Sequence, residues 1–156
     1  MSIEIGDSIK DLSLPDGTNT FHNINDFLDK KLVLAFFPGA FTGGCQKEAC
    51  DFRDSISDYN DVGVNVYGLS VDSFFVQNAF IKENDLNFPF LSDYTRQTIE
   101  DFGIAIHDFA GMPGYTSSTR SLFLLDANGV VQYKASVAPT EQPNLDELKE
   151  ALQKLS

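Results

Sequence analysis

The amino-acid sequence predicts an α/β fold, a central mixed sheet flanked by helices, formed as a single domain over residues 1–156. Three observations carry this expectation. Two strand-like runs, the continuous apolar 32–37 and the largely apolar 64–71, have the length of strands buried in a sheet. Each is followed by a segment of helical period, which is the pattern of a crossover between parallel strands. Late in the chain, two strand-like runs flank Asp126-Ala127-Asn128-Gly129, a turn sequence suited to a hairpin.

The elements follow in order. "LVLAFF" (32–37) is stopped by Pro38-Gly39. Cys45, Ala49, Phe52, Ile56 and Tyr59 then recur at spacings of four and three, while Lys47, Glu48, Asp51 and Asp54 lie elsewhere around the wheel. Cys45 is thereby placed on the apolar face of a helix. "VNVYGLSV" (64–71) is a second buried strand, and "SFFVQNAFIKEND" (73–85) is a helix opened by Asp72 or Ser73. "FPFLSD" (88–93) is a short third strand, a short helix follows around 95–102, and 105–119, with Gly111, Pro113 and Gly114, reads as irregular chain. After the hairpin at 120–137, Asn144 three residues before Glu147 marks the last helix, with Leu145, Leu148, Leu152 and Leu155 on one face. A thioredoxin-like sheet fits this order. In such sheets chemistry gathers where the carboxyl end of a strand meets the next helix, and "FFPGAFTGGC" (36–45) lies at such a junction.

Composition narrows the function classes. The chain is 42% hydrophobic, enough for a substantial core. It shows no basic leader followed by an apolar run, and nowhere about 18 consecutive apolar residues. These features predict a cytoplasmic, non-membrane protein, in a compartment where thiols stay reduced and the two cysteines are reactive or packed rather than structural disulfides. Eleven basic residues against twenty-three acidic ones give a net charge of −12, which repels phosphate backbones and argues against nucleic acid as a partner. Arg53, Arg96 and Arg120 are the available arginines.

Both cysteines fall in "FFPGAFTGGCQKEACDFRD" (36–54). Thr42 precedes Cys45 by three, so as the N-cap its hydroxyl would face the Cys45 backbone N–H and the thiol would lie in the first helical turn. There, unpaired amides and the helix dipole favour thiolate, and Pro38 and the glycine pair shape a close approach. Ionisation alone is a small gain: a thiol of reference pKa about 8.5 is about 3% ionised at pH 7, so complete ionisation adds at most about thirtyfold. An efficient enzyme must also orient its electrophile and stabilise the departing atom, which calls on Thr42, local backbone amides and an arginine.

Other chemistries fit less well. A dithiol oxidoreductase would carry C-x-x-C, whereas this chain has C-x4-C. His22 and His107 lack the close pairing with cysteines seen in zinc modules, and only His107 is conceivable as the base of a cysteine hydrolase. No metal or cofactor is expected. A non-catalytic redox-signalling or interaction protein on the same fold is the alternative of a different class.

"PGAFTGGCQKE" (38–48) resembles the P-x-x-x-T-x-x-C-x-x-E signature of the peroxiredoxins. "IGDSIKDLSLPDG", "VYGLSVDS", "NFPFLSD" and "RSLFLLDANGVV" are similar to family segments in the same order. "EACDFRD" resembles the peroxiredoxin Q, or bacterioferritin comigratory protein, subgroup, and "FFPGAFTGGCQ" also resembles the one-cysteine alkyl hydroperoxide reductase E type. Two departures stand out: Ile9-Lys10 occupies a place where proline is usual, and Gly43 stands where peroxiredoxin Q commonly has proline.

The resemblance implies a thioredoxin-like fold of the peroxiredoxin type and thiol-dependent reduction of hydrogen peroxide and organic hydroperoxides. Cys45 would attack the terminal peroxide oxygen and become a sulfenic acid. Thr42 would bond thiolate and peroxide, Pro38 would shield the site from water, Arg120 would hold the thiolate and stabilise charge in O–O cleavage, and Glu48 would orient an arginine. Cys50 would resolve the sulfenic acid as an intramolecular disulfide, recycled by a thioredoxin-like reductant. On an ideal helix the two Cα atoms lie roughly 8.6 Å apart, beyond the about 7 Å reach of a disulfide, so the helix must unwind first. A one-cysteine mechanism with Cys50 structural stays open. So does the choice between monomer and homodimer, for which 73–80 and Phe109 with Met112 offer faces.

Overall fold

The two strand runs at 32–37 and 64–71 lie side by side within the sheet, where both faces are covered. In a computed structural model describing residues 2–155, the run at 32–37 becomes β3 (Lys31–Phe36) and the run at 64–71 becomes β4 (Val64–Ser70). Met1 and Ser156, inside the expected domain of 1–156, lie outside the described residues. β3 and β4 pair in parallel, from Lys31 opposite Val64 to Phe36 opposite Leu69, and β5 (Phe90–Ser92) extends the parallel set. β8 (Arg120–Leu125) runs antiparallel to β3 and is joined by its turn to β9 (Val131–Val137), which gives the order β5-β4-β3-β8-β9.

Alternation along β3 explains why it is apolar from Leu32 onward. Val33, Ala35 and Phe37 enter one core, and Leu32, Leu34 and Phe36 enter the other. The first core receives Cys45, Ala49, Phe52, Ile56 and Tyr59 from α1 (Gly43–Asp61), Phe80 from α2 (Phe74–Glu83), and Leu148 and Leu152 from α4 (Leu145–Leu155). The second is closed by Ile24, Phe27, Phe102, Ile104 and Ile99 of α3 (Gln97–Asp101). Complete burial of a side chain such as Phe52 contributes about 1.5–3 kcal/mol, so α1 is anchored through its apolar stripe. Period two on β8 places Arg120 on the face of Leu122 and Leu124, which pack in the α1 core. The strand therefore aims Arg120 at α1.

The structure corrects several boundaries. A short antiparallel pair, β1 (Ser13–Pro15) with β2 (Phe21–Asn23), precedes β3; strands of three residues, one ending in proline, leave almost no periodic signal. Residues 105–119 are not wholly irregular: β6 (Ala105–Ile106) pairs with β7 (Ser117–Ser118). The helix expected around 95–102 starts at Gln97, because Arg96 is left-handed (φ 66°) and the Asp93 carboxylate accepts the Thr98 and Ile99 N–H groups. α2 is capped by Ser73, which accepts from the Val76 N–H, and α4 by Asn144, which accepts from the N–H groups of Asp146 and Glu147. Glu147 does not close the capping box; its carboxylate accepts from the Tyr133 hydroxyl. Within 73–80, Gln77 and Phe80 are buried whereas Phe75 is 73% exposed. Among the described residues no helix is long and apolar enough to cross a membrane.

Candidate active site

Cys45 is the third residue of α1, so the strand-to-helix junction delivers the thiol into the first turn. The Thr42 backbone is extended (φ −85°, ψ 146°) and its carbonyl accepts the Gln46 N–H at 3.0 Å, so Thr42 is the N-cap by position. Its side chain corrects the expectation. The hydroxyl does not cap the Cys45 N–H but donates to the Gly39 carbonyl at 3.0 Å. The cause is the preceding residue: Phe41 takes a φ of 64°, which folds the chain back on Gly39.

Cys45 is wholly buried, yet it is not enclosed by hydrocarbon alone. Arg120 Nη1 donates to Sγ at 3.2 Å and to Glu48 Oε1 at 3.3 Å, and Nη2 donates to the Pro139 carbonyl at 2.6 Å. Arg120 is itself 2% exposed. The local backbone amides named as possible donors do not reach the sulfur; among the described residues the guanidinium is its hydrogen-bond donor. Gly44 makes this approach possible, since a Cβ there would stand 2.8 Å from Arg120 Nη2. Gln142 Nε2 donates to the Gly44 carbonyl at 2.9 Å, so the chain between β9 and α4 straps the first turn of α1 beside the arginine.

Glu48, one turn after Cys45, is 1% exposed and Oε2 has no partner. Burial pushes its carboxyl up to about 8, with the charge and hydrogen bond of Arg120 pulling it back and Asp51 adding a smaller upward push. The shift favours the neutral carboxyl, so Glu48 sets less negative charge against the guanidinium than an ordinary carboxylate would. A stability consequence follows from the sign of this shift. The folded protein holds a proton at Glu48 that the unfolded chain releases near the ordinary carboxyl value of 4.5, so this contribution is full below that pH and is lost as pH rises through about 8. Glu48→Gln is expected to remove this component of the decline, measured as urea midpoints of both proteins between pH 5 and pH 9.

The other expected site residues divide into near and distant groups. Pro38 is buried at the end of β3, and its carbonyl accepts from the Ser117 hydroxyl. Cys50 is half-buried, a free thiol like Cys45, and both lie within the continuous helix α1. His22 pairs with Asp16 at 2.7 Å, and the exposed His107 with Glu100 at 2.9 Å; neither is bonded to Cys45. Arg53 donates to the Asn84 carbonyl and Arg96 to the Thr116 carbonyl, which leaves Arg120 as the arginine of the site. Sequence reasoning missed four groups that hold the site together: Asp72, which accepts the Ala40 N–H at 2.8 Å, Ser117, Gln142 and the Pro139 carbonyl. Only the "SVDS" stretch, already notable for its resemblance, could have pointed to one of them.

A helix-start cysteine bonded to a buried guanidinium, on a sheet of thioredoxin-like order, defines a thiol-based redox protein. Comparison with known proteins specifies which. Residues 5–134 match the model of the AhpC/TSA family. The chain is 34% identical over 132 residues to peroxiredoxin Bcp of Escherichia coli, covering 84% of each chain. It is 35% identical over 133 residues to the chloroplastic peroxiredoxin Q of Sedum lineare, covering 85% of this chain and 69% of that one. In three dimensions it superposes on peroxidoxin BcpB of Mycobacterium tuberculosis with a TM-score of 0.87, at 28% identity and 99% coverage of both chains. The protein belongs to the AhpC/TSA family, as a member of its peroxiredoxin Q/Bcp subgroup, and is a thiol-dependent peroxidase. Pro139 and Gln142, which support the arginine and the first turn of α1, lie beyond residues 5–134.

Proposed function

We propose that the protein reduces hydrogen peroxide and organic hydroperoxides at Cys45, and that the hydrogen bond from Arg120 to Cys45 Sγ is the observation that carries this reading. The Cys45 thiolate attacks the terminal peroxide oxygen. An S–O bond forms as the O–O bond breaks, the sulfur is oxidised to a sulfenic acid, and the departing alkoxide or hydroxide takes a proton to leave as alcohol or water. The guanidinium stabilises the charge on sulfur and on the oxygen being displaced. Thr42 already donates to Gly39, so its lone pairs are available to accept the peroxide O–H; Pro38, buried beside the junction, limits water. Glu48 keeps Nη1 aimed at Sγ while opposing its charge less than an ordinary carboxylate would.

Cys50 then attacks the sulfenic sulfur, water leaves, and an intramolecular disulfide results. Both residues sit in regular helix, so the first turns of α1 must open for this step. A thioredoxin-like dithiol returns the two electrons in the cytoplasm, where such reductants keep thiols reduced. Phe75 and Met112, both exposed, are surfaces available to a homodimer.

Intact mass after one equivalent of hydrogen peroxide tests the sequence of steps. The wild-type protein is expected to lose about 2 Da, whereas Cys50→Ser is expected to gain about 16 Da. A stable gain of about 16 Da in the wild type would assign it a one-cysteine cycle and leave Cys50 structural.

A further inference from the structure

Phe41 places a bulky side chain in the left-handed region, at φ 64°, in the turn that leads into α1. A residue stays in such a conformation only where its surroundings over-determine it. Here the surroundings are two side chains from remote segments. Asp72, between β4 and α2, accepts the Ala40 N–H at 2.8 Å through Oδ2, which also accepts from Ser70 Oγ at 2.9 Å. Ser70 is fixed in turn by Gln77 Nε2 at 2.9 Å. Ser117, wholly buried in β7, donates to the Pro38 carbonyl from 79 residues along the chain. Neither side chain is bonded to the sulfur. Each grips the backbone just before the left-handed residue, and the Phe41 ring completes the hold by meeting Phe80 edge-on at 5.3 Å.

We propose that Asp72 and Ser117 are positioning residues for the peroxide step, clamping residues 38–40 from two sides so that Phe41 keeps its left-handed turn and Thr42 keeps its place at the helix entry. The inference rests on the reading of Cys45 as the peroxide-reactive thiol. It also gives the segment at 105–119 a purpose, because the β6–β7 pair is what brings Ser117 under Pro38. Release of the clamp misplaces Thr42 and the approach path. It leaves the Arg120 contact with Cys45, made from β8, in place.

The test uses the full chain carrying Cys50→Ser, so that Cys45 is the single thiol, and compares Asp72→Ala, Asp72→Asn and Ser117→Ala. Two rate constants are measured on each: single-turnover oxidation by hydrogen peroxide, and alkylation by iodoacetamide, which needs the thiolate but no peroxide geometry. Asp72→Ala and Ser117→Ala are expected to slow oxidation by about tenfold or more while alkylation stays within about threefold. Asp72→Asn, which keeps an acceptor for the Ala40 N–H, is expected to recover most of the loss. Oxidation unchanged in both alanine variants overturns the proposal, as does a parallel fall in both rates, which would mark general loss of structure. Should Asp72→Ala fail to fold, Ser117→Ala and Asp72→Asn decide the matter by the same criteria. A parent protein that alkylates normally but ignores peroxide would instead overturn the reading of Cys45 and, with it, this inference.

Discussion

Cys45→Ser is expected to lower peroxide consumption by at least about 10³-fold, the scale of loss seen when an enzyme's nucleophile is removed. The reason is chemical rather than steric. A serine hydroxyl is not appreciably ionised near neutrality, and oxygen has no counterpart of the sulfenic acid through which the two-electron oxidation must pass. The fold should survive, because the serine Oγ can still accept from Arg120 Nη1 and so avoids burial without a partner. Urea midpoints close to wild type, together with consumption at the buffer rate in the presence of a dithiol, are the expected pair of results. Retained turnover in Cys45→Ser would remove Cys45 from the chemistry altogether.

Arg120→Met is expected to cost about 10²–10³ in kcat/KM for peroxide, the usual effect of deleting one preorganised donor at a site of developing charge. It is also expected to cost stability in a pH-dependent way. Removing one partner of a buried ion pair can cost about 3–5 kcal/mol because the other charge is stranded. Here burial already holds Glu48 at about 8, so at pH 6 the stranded carboxyl is neutral and most of that penalty is avoided. Above pH 8 it must either ionise without a partner or keep its proton against the solution. The urea midpoint of Arg120→Met should therefore fall further below wild type at pH 9 than at pH 6. Adding Glu48→Gln should remove the extra loss at high pH without restoring activity. Recovery of activity in the double variant would show that the arginine acts on the carboxyl, not on the sulfur.

Much of this was legible along the chain. The helical stripe on α1 suffices to place Cys45 in the core, because that period is fixed by backbone geometry. Glu48, read as lying off the stripe, is instead buried beside Arg120, and it was the resemblance, not a period, that singled out these two residues. The motif at 38–48 supplied the chemistry. The Thr42 hydroxyl was misread, because its choice between the Cys45 N–H and the Gly39 carbonyl depends on a left-handed Phe41, and no local preference predicts that conformation for phenylalanine.

Residue order by itself determined the sheet's central strands and the helix that carries the thiol, since each rests on a repeat or a spacing, and the family resemblance singled out the side chains that meet there. Only the tertiary structure decided how that meeting is enforced. Asp72 and Ser117 reach the loop over 32 and 79 residues, and Arg120 is held by a carbonyl at Pro139. A peptide N–H or C=O is the same group at nearly every position, so only the folded chain selects which of them a side chain will find.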